Sequence, residues 1–86
     1  MMADKNQIQP LLKTARGQVE GLLKMVEDDR YCVDISNQIL AVKALLDKCN
    51  KLILSAHLKG CVANALQEGN QEKIDEVIAL IDKMAK

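Results

Sequence analysis

Residues 34–67, DISNQILAVKALLDKCNKLILSAHLKGCVANALQ, contain no proline and a single glycine, Gly60. Within them Ile35, Ile39, Val42, Leu46, Cys49, Ile53, Ala56 and Gly60 recur at alternating steps of four and three. That spacing keeps a stripe of side chains on one face of an α-helix. Leu45 and Leu52 widen the stripe, as expected of a helix packed on more than one neighbour. The stretch predicts one helix of roughly 33 residues, about 50 Å long at 1.5 Å per residue. Gly60 is its weakest point, at a cost of about 1 kcal/mol relative to alanine. A chain of 86 residues cannot cover such a rod alone, so self-association is expected.

Upstream, Ile8, Leu12, Ala15, Val19, Leu22 and Val26 follow the same steps and predict a second amphipathic helix. Pro10 fits only a first helical turn, which places the regular start near residues 7 to 9. The acidic run Glu27-Asp28-Asp29 ends this helix, and Asp34 is the expected N-cap of the long one. Downstream, Gly69 is a natural stop and Asn70 the next N-cap. Ile74, Val77, Ile78, Ile81 and Met84 then line a short third helix. The expectation is an all-α chain, residues 1–86 forming a single domain of three helices with one long central helix.

Composition narrows the function. Apolar residues make up 49% of the chain but Tyr31 is the only aromatic, so the core is aliphatic. Twelve basic and twelve acidic residues cancel, which removes the bulk electrostatic pull of most nucleic-acid binders and leaves only local patches. Lys13, Arg16, Lys43, Lys48 and Lys51 form either a DNA-facing stripe or a solvated helix face. There is no signal-peptide pattern and no long apolar run, so a cytoplasmic location is expected. Three cysteines, an odd count, read as thiols rather than a disulfide framework. No nucleophile with a base, carboxylate pair or phosphate loop suggests an enzyme.

Cys32 precedes the long helix, while His57 and Cys61 lie one turn apart near its far end. Some 25 residues of helix would hold Cys32 and His57 roughly 37 Å apart. Two antiparallel copies would bring Cys32 of one to His57 and Cys61 of the other, with the two-fold axis near Leu45 and Leu46 and one site at each end. Two thiolates and an imidazole are a soft donor set. Zinc normally takes four ligands, so three without a fourth suit Cu(I) better. Cys49, on the stripe between Leu46 and Ile53, reads as a small hydrophobe, and Met25 and Met84 as core filler.

The run RGQVEGLLKMVEDDRYCVDISNQILAVKALL, residues 16–46, followed by HLKGCV at 57–62, resembles the copper-sensing CsoR-type repressors, small all-helical metal and sulfur sensors. The likeness covers residues 11–82. It implies Cu(I) held by Cys32, His57 and Cys61 across subunits, with Tyr31 and Glu76 in the surrounding hydrogen-bond network. It also implies an antiparallel four-helix-bundle dimer, a dimer of dimers, and an apo homotetramer that binds operator DNA and is released by Cu(I). Two alternatives stand beside it. One is a persulfide-sensing repressor using Cys32 and Cys61, the other a copper-binding helical oligomer that does not bind DNA. Leu11 and Thr14 occupy positions where the family usually has arginine, and Arg16 and Glu20 exchange the usual acid and base.

Overall fold

The computed structural model describes the backbone of residues 1–85 and their side chains apart from those of residues 61, 62, 65 and 85. Helix α1 spans Lys5–Glu27. It starts earlier than Pro10 suggested, because Asp4 serves as N-cap and its carboxylate accepts the Asn6 N–H at 2.8 Å. Pro10 therefore sits inside the helix, where it has no N–H to give the preceding turn. The Thr14 hydroxyl donates to the Pro10 carbonyl at 2.9 Å.

The end of α1 is a Schellman turn. Arg30 N–H reaches the Met25 carbonyl at 2.9 Å, and Asp29 N–H reaches that of Val26 at 3.1 Å. Asp29 takes the left-handed position with φ 53°, a place usually given to glycine. Helix α2 follows at Cys32–His57. The Tyr31 carbonyl accepts the Ile35 N–H at 3.2 Å, so the helix begins ahead of Asp34. Asp34 is not the cap; it lies in the first turn, where its charge still favours the helix N-terminus.

Asp4–Leu52 forms one of two compact units. Along α1, Ile8, Leu11, Ala15, Gln18, Leu22 and Met25 are buried or half-buried; along α2, Ile35, Gln38, Val42, Leu45, Cys49 and Leu52 are. Both sets step by three and four, the signature of two helices that cover each other. This corrects half of the expected stripe. Ile8, Ala15, Leu22, Ile35, Val42 and Cys49 turn inward as expected, but Leu12, Val19, Val26, Ile39 and Leu46 remain exposed. The positions one residue earlier in each case, two of them glutamines, take their place inside. Gln18 Oε1 is buried there without a hydrogen-bond partner among the described residues.

The second unit comprises Met1–Ala3 and Ile53–Lys86. After His57 the helix does not stop but widens into a π-helical turn, Leu58–Val62, and narrows again as α3, Ala63–Glu68. The long helical run expected from sequence is present, interrupted around Gly60 by i→i+5 bonding. Gly69 at φ 72° turns the chain. The Asn70 side chain accepts the Lys73 N–H at 3.4 Å, capping α4, Gln71–Ala85, as expected. Leu54 and Val77 are the buried centre of this unit, with Ile74 and Met84 packed against them. Ile78 and Ile81 face outward instead of lining the core. Among the described residues no helix is long and apolar enough to cross a membrane.

Candidate metal centre

Cys32 is the first residue of α2 and its thiol is free and exposed. The position follows from the tight turn through Asp29, which ends α1 at Glu27 and lets α2 begin after a four-residue connection. His57 is the last residue of the same helix; it is half-buried, and its side chain caps no backbone N–H of the π turn. Cys61 lies within that turn, and its side chain is outside the described residues. Cys32 and Tyr31 thus belong to one unit, and His57 and Cys61 to the other. Among the described residues no three of His, Cys, Asp and Glu converge on a common point within the chain.

Tyr31 is exposed, immediately before Cys32. Glu76 is exposed on α4. Cys49 is free and buried in the seam of α2, where the small-hydrophobe reading placed it.

The π turn gives the site a feature that helical periodicity does not show. Gly60 stands between His57 and Cys61 in sequence, and the side chain of Met2 fills the space a Cβ there would need. An imidazole and sulfur atoms are therefore the donors that the sequence gathers around this turn. That is a set suited to a soft monovalent ion and poorly suited to a hard one. Met25 and Met84 are half-buried, consistent with packing roles. Met2 lies outside every periodic segment, so helical spacing gives no sign of its contact with Gly60.

Lys13 and Arg16 on α1 and Lys43, Lys48 and Lys51 on α2 are all exposed, and all fall in the Asp4–Leu52 unit. Lys48 and Lys51 line an open groove of about 390 Å³ with Ala44, Asp47 and Leu52. Leu11, one of the two positions without the family arginine, is half-buried in the α1 seam, whereas Thr14 is exposed.

Residues 4–83 match the family model described as "Metal-sensitive transcriptional repressor". The chain is 44% identical over 68 residues to the copper-sensing transcriptional repressor CsoR of Mycobacterium ulcerans. That alignment covers 78% of this chain and 58% of the relative, so the chain spans little more than half of that protein's length. It is 43% identical over 84 residues to the copper-sensing transcriptional repressor CsoR of Bacillus subtilis, covering 96% of this chain and 83% of the relative. Among solved structures, the copper-sensing repressor CsoR with Cu(I) from Geobacillus thermodenitrificans superposes with a TM-score of 0.85 at 42% identity. The match covers 95% of this chain and 86% of that one. The nickel-responsive transcriptional regulator InrS gives 0.78 at 27% identity, over 98% and 96% of the two chains.

Proposed function

The chain belongs to the family of metal-sensitive transcriptional repressors, which are not enzymes, and from that premise we propose that it is a cytoplasmic, Cu(I)-responsive repressor of its operator DNA. Two chains pair antiparallel, so that Cys32 of one meets His57 and Cys61 of the other. Two such dimers make a homotetramer. The observation that carries this reading is the placement of Cys32 and His57 as the first and last residues of one helix. A single straight helix cannot close on itself, whereas a second copy brings the two ends together. The apolar positions that α1 and α2 leave exposed supply a surface for that copy.

Cys32, His57 and Cys61 would hold the metal, and a bound Cu(I) would supply a soft acceptor for two sulfurs and one imidazole nitrogen. Cys32 and Cys61 give up their thiol protons on binding, and His57 binds in its neutral form. Tyr31 and Glu76 orient these ligands through hydrogen bonds. Because Cys32 begins α2 and His57 ends it, tying them across subunits fixes the offset between two long helices. The offset in turn sets the spacing of Lys13, Arg16, Lys43, Lys48 and Lys51 against the phosphate backbone. Residues 1–86 act here as one metal-sensing and DNA-binding domain.

His57 is the only histidine in the chain, so a donor set rich in nitrogen, as nickel favours, is not at hand. The presence of His57 also weighs against persulfide sensing by Cys32 and Cys61, which needs no imidazole.

Metal and DNA binding oppose each other through one coupling free energy, so each weakens the other by the same factor. The test is an anaerobic anisotropy titration of operator duplex at fixed salt. Cu(I) is expected to weaken binding of the wild type at least ~10-fold, a coupling of about 1.4 kcal/mol. His57→Ala should bind DNA normally and lose the response. An operator affinity unmoved by Cu(I) refutes the reading. Cu(I) uptake without any DNA binding would make the protein a copper-binding helical oligomer.

A further inference from the structure

The face on which α1 and α2 cover each other carries one glutamine on each helix, Gln18 and Gln38, both half-buried among apolar neighbours. Gln18 Oε1 is buried with no hydrogen-bond partner among the described residues. A buried acceptor without a donor carries its full desolvation cost. The residue after each glutamine is apolar and faces out: Val19 is 44% exposed and Ile39 51%. Turning each helix by one residue, about 100°, exchanges Gln18 for Val19 and Gln38 for Ile39 at the contact. The hairpin therefore closes on the poorer of two available faces and leaves an oxygen unpaired in doing so.

Stability of the single chain does not account for that choice, whereas selectivity of pairing does. Residues 28–31 join α1 to α2, so their contact is unimolecular and tolerates a weak face. The same face presented to a second chain has no such help. It would have to offset lost translational and rotational freedom while still burying two amides. A polar residue in an otherwise apolar helix contact holds one pairing state at the expense of stability.

Resting on the self-association read above, we propose that Gln18 and Gln38 determine which face of the hairpin closes on itself and which takes a second copy. The glutamines make the covered face unfit for contact between chains. Copies then meet only through the face of Leu12, Val19, Val26, Ile39 and Leu46. With leucine at both positions the two faces become equally apolar, and either arrangement of the hairpin can assemble. Gln18, with its buried oxygen, is the stronger determinant of the two.

The test compares Gln18→Leu and the double variant Gln18→Leu/Gln38→Leu with the wild type, all as full chains. Urea unfolding reads stability, sedimentation velocity reads assembly, and amide NMR spectra count the arrangements present. Gln18→Leu should raise the urea midpoint, its unfolding constant falling about 10-fold with the unpaired oxygen gone. The double variant should be more stable still. It should also show more than one species, as several sedimenting assemblies or a second set of amide resonances, where the wild type shows one.

A stabilised double variant with the single assembly and single set of resonances of the wild type overturns the assignment. So does a destabilised or more weakly associating variant, because the glutamines would then contribute to the contacts. Either result leaves the self-association reading standing. A wild type that stays monomeric overturns both.

Discussion

The hairpin of α1 and α2 carries two apolar seams that share Ile8, Ala15, Leu22, Ile35, Val42 and Cys49 and differ in what lies beside them. The covered seam adds Leu11, Gln18, Met25, Gln38, Leu45 and Leu52; the open one adds Leu12, Val19, Val26, Ile39 and Leu46. The open seam is the more apolar of the two. The covered one contains two glutamines, and the carbonyl oxygen of Gln18 is buried there without a partner among the described residues. Hydrophobicity therefore does not choose which seam closes within the chain. A four-residue connection already holds the two helices side by side, so a weaker seam suffices there. The proposed association between chains would have to offset lost translational and rotational freedom, and the more apolar seam is the one suited to it.

The largest expected effect comes from charging the open seam at its middle. Leu46 is 44% exposed in the single chain, so Leu46→Lys should leave the hairpin helical while weakening self-association at least ~100-fold, about 3 kcal/mol. Sedimentation equilibrium reads the loss, and circular dichroism checks that the helices persist. An unchanged oligomer would move the interface elsewhere. Val42 is shared by both seams and only 6% exposed. Val42→Ala should lower stability by about 2 kcal/mol in urea unfolding, because the void stays inside the hairpin whatever covers its outer face. The smallest effect concerns the connection that decides which faces meet. Asp29 holds a left-handed conformation that glycine adopts at less cost. Asp29→Gly should raise the unfolding free energy by about 0.5–1 kcal/mol, read as a higher urea midpoint at unchanged slope.

Much of this was legible from residues in order. The acidic run at Glu27-Asp28-Asp29, the stop at Gly69 and the cap at Asn70 fall where the sequence placed them, because capping is chemistry between near neighbours. Pro10 by itself puts the helix start too late, because the Asp4 cap begins the helix five residues before it. Asp34 misled in a milder way: it favours a helix N-terminus from inside the first turn as well as from the cap. Ile78 and Ile81 fit the period of a core face, yet among the described residues it is Ile74, Val77 and Met84 that pack with Leu54. Around the candidate site, the sequence picked out Cys32, His57 and Cys61 by donor chemistry and spacing. The contact of Met2 with Gly60 has no such signal, because in sequence it spans the length of two helices.

From the order of residues alone come the helical class, the approximate ends of the helices and the soft character of the donors, because each depends on spacing, capping and atom type along a few turns. Three things required the folded chain: which apolar seam is closed, the widening of the helix at Leu58–Val62, and the seat of Met2 on Gly60. Each depends on segments distant in sequence competing for the same space, and a period of 3.6 residues says which side chains share a face without saying what that face meets.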